Sequence, residues 1–240
     1  MRPVPDVVHV WRASLDVAPS SLEALATTLS PDESARAARF ARPMDRDRYV
    51  AARGILRDVL GRYMGRPAAA VRIRYGPHGK PELERESDAP RLQFNLSHAA
   101  GLALFAVADS RRVGVDVERV DPALAKERIP EQFFSPREVT ALRALPAALQ
   151  PEAFFTCWTR KEAYVKARGA GLSLRLDQFD VALAPGEPAA LLRTDDDPLE
   201  AARWSLWALT PGPGYVGALA VEGSGASLEL REWEAGPSGR

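Results

Sequence analysis

The most regular pattern along the 240-residue chain is an apolar set at Tyr49, Ala52, Ile55, Leu56, Val59, Leu60 and Tyr63, recurring every three or four residues. That period predicts an amphipathic helix from Asp45, closed by glycines 61 and 65, with Arg46, Arg48, Arg53, Arg57 and Arg62 on its polar face. A second long helix is predicted from Pro151 through Phe154, Phe155, Trp158 and Val165 to Arg168, ended by Gly169 and Gly171. Ser30-Pro31-Asp32-Glu33 opens a shorter helix, with proline first and acids in the first turn, and carries Arg36 and Arg39. A further helical stretch falls over 137–145. Alternating or apolar runs predict strands at 71–75, 92–96, 101–108, 113–118, 178–183, 203–209, 215–221 and 227–233. The segment 109–112 reads as a hairpin connection between two of these strands, and 214–221 with 228–230 as a second, terminal hairpin.

Each half thus carries a long helix, several short strands and a closing hairpin. The expected fold is α+β: two pseudo-symmetric lobes, 1–110 and 111–240, each a small mainly antiparallel sheet packed on a long helix, with a ligand cleft between them.

Composition narrows the class. At 46% hydrophobic and 27% charged the chain is globular, which excludes disorder, collagen and coiled coil. Thirty-two Lys+Arg balance 32 Asp+Glu, and no basic run is interleaved with aromatics, so neither nucleic acid nor a membrane surface is an expected partner. The longest apolar stretch, 102–108, falls short of the roughly 20 residues that span a bilayer. The N-terminus interleaves prolines and polar residues where a signal peptide has a continuous apolar core. Cys157 is the single cysteine, which rules out an internal disulfide and a thiolate metal cage; a cytoplasmic protein is expected.

Candidate chemistry begins at Val113-Gly114-Val115-Asp116-Val117-Glu118. The two-residue period puts the three valines on one face and both carboxylates on the other. Two readings fit: a hard cation such as Mg²⁺ held by oxygen ligands, or a solvated hairpin face. On the second long helix Trp158, Glu162 and Lys166 stand four residues apart on one face, a site or an ordinary acid–base helix pair. Asn95-Leu96-Ser97-His98 leaves a strand for a loop, with Ser97 and His98 as ligand-binding groups or as parts of a turn. Their side chains diverge, and no nucleophile elbow frames Ser97. Lys80 lies beside a turn without a P-loop pattern. The arginines from Arg36 to Arg62 suit a compact phosphorylated ligand or plain solvation.

Taken in order, Gly79-Lys80-Pro81, Phe94-Asn95-Leu96-Ser97-His98, Gly114-Val115-Asp116-Val117-Glu118, Phe133-Phe134-Ser135 with Glu138, and the segment from Trp158 to Lys166 with Gly169 to Leu172 resemble the 4′-phosphopantetheinyl transferases, in their larger, surfactin-synthetase-activating type. The resemblance runs from about Ser30 to Phe179. It implies a monomer that binds coenzyme A between two lobes. It also implies an enzyme of the holo-acyl-carrier-protein synthase kind, moving phosphopantetheine to a serine of an apo acyl, peptidyl or aryl carrier protein and releasing adenosine 3′,5′-bisphosphate with Mg²⁺. Carried over residue by residue, Asp116, Glu118 and Glu162 are the implied Mg²⁺ ligands. Glu162 is also the candidate base, directly or through water, with Asp116 and Lys166 completing the catalytic group. Arg36, Arg48, Lys80, Ser97, His98 and Lys166 are the implied coenzyme contacts, His98 and Arg48 at the 3′-phosphate. Two departures stand out: Ala99 where many relatives have a second serine, and Glu33 where some have a basic residue. An Mg²⁺-dependent phosphohydrolase of coenzyme A-like nucleotides, and a non-catalytic coenzyme- or carrier-binding module, are the other functions the same residues suit. Phe133 and Phe134 are read as a carrier-docking surface or as core.

Overall fold

Strand alternation sets the architecture. In the computed structural model, which describes residues 6–76, 79–84, 91–124 and 128–235, the strand β5 (Leu102–Asp109) turns Leu102, Leu104, Ala106 and Ala108 one way and Ala103, Phe105 and Val107 the other. The first set meets Val113, Val115 and Val117 of β6 (Val113–Arg119), together with Leu219 and Val221 of β10 (Tyr215–Glu222), in an apolar core between two sheets. Both faces of β5 are buried, which explains its continuous apolar run.

One sheet has the order β11 (Ser227–Glu232), β1 (Val7–Ser14), β5 and β4 (Leu92–Ala99); the other is β6, β10 and β9 (Trp204–Leu209). Pairing is antiparallel except for β1 with β11, whose register sets Val7 against Ser227. A long helix covers each outer face: α3 (Pro43–Met64) packs Ala52, Ile55, Leu56 and Val59 over Trp11, Phe94 and Phe105, while α6 (Gln150–Arg168) packs over β6 and β10. Shorter helices α1 (Pro19–Ala26), α2 (Pro31–Ala37), α4 (Ile129–Phe133) and α5 (Pro136–Ala144) flank them. Two small ladders complete the list, β2 (Ile73–Tyr75) with β3 (Pro81–Leu83) and β7 (Phe179–Val181) with β8 (Leu191–Thr194). The fold is mixed α and β with small, mainly antiparallel sheets, as the pattern predicts. Among the described residues no helix is long and apolar enough to cross a membrane.

Two expected hairpins are different connections. Segment 109–112 does not pair β5 with β6; it carries the chain from one sheet to the other. The apolar faces of both strands meet across the core, so they stack face to face instead of edge to edge. Likewise β10 and β11 belong to different sheets, and the last strand returns to lie beside β1. The elements β1, β3, α1, α4 and β8 have no counterpart among the predicted ones. Pro77 and His78 of the predicted turn lie outside the described residues.

Candidate functional site

β6 positions the acidic pair. Its valines are buried in the inter-sheet core, so Gly114, Asp116 and Glu118 face α6. Only a glycine fits at 114: a Cβ there would lie 2.1 Å from the carbonyl oxygen of Ala163 and 2.4 Å from the amide of Ala167. This close approach sets the last turns of α6, with Glu162 and Lys166, directly over the acidic strand.

Asp116 is only 3% exposed. Its Oδ1 accepts from Lys166 Nζ at 2.6 Å and from Ser97 Oγ at 2.7 Å. Lys166 also donates to Ser97 Oγ at 3.1 Å. The second carboxylate oxygen of Asp116 is buried with no hydrogen-bond partner. Burial, reinforced by the Asp116 charge, pushes Glu118 up to about 7 against the relief offered by Lys166. The same causes, burial first and Asp116 second, raise Glu162. Three carboxyl groups thus crowd one ammonium, and two of them hold their protons more tightly for it. Among the described residues no three His, Cys, Asp or Glu side chains are already drawn into a cation cage. The donor set is nonetheless hard oxygen throughout, and an orphaned buried carboxylate oxygen is what an oxygen-seeking divalent ion would satisfy.

Ser97 and His98 stay within β4 instead of entering a loop, His98 pairing with Ala103. The strand period therefore sends the two side chains to opposite faces, Ser97 to Asp116 and His98 outward. The turn into β5 uses Ala100 and Gly101, both at positive φ (44° and 90°). Asn95, also on β4, accepts the Val115 N–H at 2.9 Å and so ties the two halves together beside the acids.

Two cavities open on this seam. One of about 720 Å³ is lined by Lys80, Glu162, Lys166, Phe133, Trp158 and neighbours, and falls in the size range of about 300–1,000 Å³ typical of ligand pockets. The other, about 450 Å³, is lined by Arg36, Arg48 and His98; Pro81 and Leu96 border both. Of the predicted site residues, Lys80, Glu162 and Lys166 line the first cavity and Arg36, Arg48 and His98 the second, which is the basic end. At the basic end Arg48 Nε donates to Asp16 Oδ1 at 2.7 Å, while the exposed Arg36 sits 5.7 Å from the Tyr49 ring centre. His98 is exposed at the rim, yet the surrounding protein mass, and less strongly Lys166, lower its pKa. Lys80 lines the first cavity, but its ammonium is turned onto main-chain carbonyls, that of Lys166 at 2.7 Å. Phe133 lines the cavity, 42% exposed and edge-on to Trp158, whereas Phe134 is core. Sequence reasoning missed Asp16, Phe40, Tyr49 and Tyr75 around the basic cavity. Only the helical spacing of Tyr49 from Arg53 signalled any of them, and that spacing was absorbed in the core pattern.

The profile of the 4′-phosphopantetheinyl transferase superfamily matches residues 112–220, and that of a 4′-phosphopantetheinyl transferase N-terminal domain matches residues 11–110. The chain is 44% identical to the 4′-phosphopantetheinyl transferase HetI of Nostoc over 92% of its own length and 90% of that relative. It is 32% identical to the 4′-phosphopantetheinyl transferase Sfp of Bacillus subtilis, covering 65% of this chain and 66% of Sfp. It is also 28% identical to the human L-aminoadipate-semialdehyde dehydrogenase-phosphopantetheinyl transferase over 66% of this chain and 54% of the human protein. The chain belongs to the 4′-phosphopantetheinyl transferase family. Within it, the chain is of the larger, Sfp-like type.

Proposed function

We propose that this protein transfers the 4′-phosphopantetheine arm of coenzyme A to a serine of an apo acyl, peptidyl or aryl carrier protein, as an enzyme of the holo-acyl-carrier-protein synthase kind. The observation that carries the reading is the group of Asp116, Ser97 and Lys166 within 3.1 Å of one another, with Glu162 of α6 beside them and a basic cavity next door.

The serine hydroxyl forms a bond to the phosphorus of the pyrophosphate nearer the pantetheine. The bond from that phosphorus to the bridging oxygen breaks, and adenosine 3′,5′-bisphosphate leaves. The serine proton passes to Glu162, directly or through water; burial, and then the Asp116 charge, raise its pKa, which strengthens it as a base. Lys166 places positive charge at the pyrophosphate, and Arg36, Arg48 and His98 suit the 3′-phosphate end. Asp116, Glu118 and Glu162 are the residues that would hold Mg²⁺, which when bound neutralises charge on the pyrophosphate and orients it. The reading places a monomer in the cytoplasm.

The test is the intact mass of a purified apo carrier protein incubated with this protein, coenzyme A and Mg²⁺. A gain of one phosphopantetheine, lost when EDTA is added, is the expected result. Release of phosphate from coenzyme A with no carrier present would point to the phosphohydrolase. No gain across fatty-acid, polyketide and peptide carriers would overturn the transferase reading.

A further inference from the structure

Lys80 is a predicted coenzyme contact whose ammonium is turned onto main-chain carbonyls. It follows Gly79, at φ +76°, in the turn between β2 and β3. From there its side chain crosses to the other half of the chain and ends against α6 and β6. Its Nζ lies 2.7 Å from Lys166 O and 3.4 Å from both Ala167 O and Val113 O. The stem crosses Gly169, Cδ standing 3.6 Å from where a Cβ on that glycine would be. Gly169 itself ends α6 in the left-handed conformation.

The last carbonyls of a helix lack intrahelical partners, and the helix dipole favours a cation there. Lys80 supplies both a donor and a charge. It does so while bridging two of those carbonyls to the first residue of the strand that carries Asp116 and Glu118. Burial has lowered its pKa to about 8, as expected of an ammonium enclosed by main chain and, among the described residues, in contact with no carboxylate.

We propose that Lys80 is a positioning residue that clamps the C-terminal turn of α6 to the start of β6, holding Lys166 in place on Asp116. The inference rests on the transferase reading for its effect on rate, while the clamp itself is a property of the ligand-free protein.

Two measurements test it. In steady-state transfer assays, Lys80→Met should lower kcat about tenfold or more and leave the KM for coenzyme A within about threefold, and Lys80→Arg, whose guanidinium can still reach carbonyls, should recover most of the rate. In amide hydrogen exchange of the ligand-free protein, Lys80→Met should speed exchange in the peptide covering 163–169 by about tenfold and leave the first-half peptide 59–65 unchanged. A raised KM with unchanged kcat would overturn the proposal and return Lys80 to the coenzyme. Unchanged exchange at 163–169 would overturn it as well. If the wild-type protein transfers nothing, the function reading fails alone, and the exchange result still decides the clamp.

Discussion

The two halves of the molecule are built on one plan, and their residues can be set side by side. Ser30 stands 22 residues after Val8, and Ser135 stands 22 after Val113; Gly65 and Gly169, both left-handed helix ends, each lie eight residues beyond a buried cation, Arg57 and Lys161. On that correspondence Trp11 occupies in the first half the place of Asp116, Ala13 that of Glu118, Asp58 that of Glu162 and Arg62 that of Lys166. Arg62 lies over the Trp11 ring at 5.5 Å, where Lys166 meets a carboxylate at 2.6 Å. Trp233, just after β11, then closes over this counterpart by donating to Asp58 at 2.7 Å. One copy of the scaffold keeps acids and a lysine beside a cavity; the other fills the same position with aromatic rings and the C-terminal strand. The chemistry therefore belongs to a few side chains on the shared frame and not to the frame. The sharpest test pairs the copies: Asp116→Ala should lower kcat for transfer by at least about 10²-fold, the size of loss seen when a group acting on developing charge is removed, with the circular dichroism spectrum unchanged. Trp11→Phe should leave kcat within about threefold. Similar losses from both would break the assignment of chemistry to one half.

The copies agree most closely where nothing reacts. Glu33 follows Ser30-Pro31 and accepts the Ser30 N–H at 3.0 Å; Glu138 follows Ser135-Pro136 and accepts the Ser135 N–H at 2.9 Å. Both carboxylates are buried, Glu33 between Arg53 Nε at 2.7 Å and Arg57 Nε at 2.6 Å, Glu138 against Lys161 Nζ at 2.8 Å. Arg57 and Lys161 then donate onward to carbonyls of the segment after each long helix, Val71 O and Leu176 O. Burial raises the pKa of Glu33, but its two arginines and the Ser30 amide outweigh that and hold it below the usual carboxylate range. Glu33 is therefore a structural counter-charge. Truncating either acid leaves buried cations uncompensated, so Glu33→Ala and Glu138→Ala should each cost about 3–5 kcal/mol in urea unfolding, far more than a surface pair. A loss in only one half would show that the second pair is not an equivalent brace.

These pairs also show how far the sequence could be read. The helix starts at Ser30 and the two long helices were legible because capping residues and 3.6-residue periodicity are local signals. The separation of Val113, Val115 and Val117 from Asp116 and Glu118 followed from strand alternation alone. The partner of a strand is a different matter, since β5 and β6 look like a hairpin until both apolar faces are known to share one core. Pairing of β1 with β11 depends on residues more than 200 apart in sequence, Val7 with Ser227, and no local pattern encodes it. At the site, Asp116, Glu118 and Glu162 were legible as residue types. That Lys80 faces carbonyls, or that Arg48 is held by Asp16, depends on which half packs where.

The next contrast lies one step along the strand. Gly114 lets α6 approach β6, whereas the corresponding residue of β1, His9, keeps a full side chain between strand and helix, its Nδ1 2.5 Å from the hydroxyl of Tyr63 on α3. A methyl at 114 would collide with helix backbone, which cannot swing aside as a side chain can. Gly114→Ala should therefore destabilise by about 1–3 kcal/mol, the usual range for overpacking, and should reduce transfer beyond what the lost stability explains because it lifts Lys166 from Asp116. The thermal midpoint and kcat of this variant, measured at a temperature where it is fully folded, separate the two effects. Full activity in the folded variant would mean that the close approach is not what sets the site.

His9 supplies the smallest expected effect, one with a sign fixed by its surroundings. Its ring lies between Tyr63 of α3 and the β11 residues Glu229 and Arg231, with Nε2 3.0 Å from Glu229. Burial lowers its pKa first and Arg231 adds to this, against the opposing pull of Glu229. Between its folded pKa and the ordinary value of 6.5, the unfolded chain binds the proton more fully than the native protein. The His9 contribution to stability therefore rises with pH across that window and falls as pH drops below 6.5, by at most about 1.4 kcal/mol per pH unit. His98 shifts in the same direction, while Glu118 and Glu162, whose folded pKa is raised, act with the opposite sign, so the wild-type slope contains all four. The contribution of His9 is the difference between wild type and His9→Gln, measured by urea unfolding from pH 5 to 7.5. That difference, wild type minus variant, should rise with pH. A difference that falls with pH would mean that Glu229 wins and that the imidazolium form latches β11 to β1, making the first half, with no acid at the place of Asp116, the more acid-tolerant of the two.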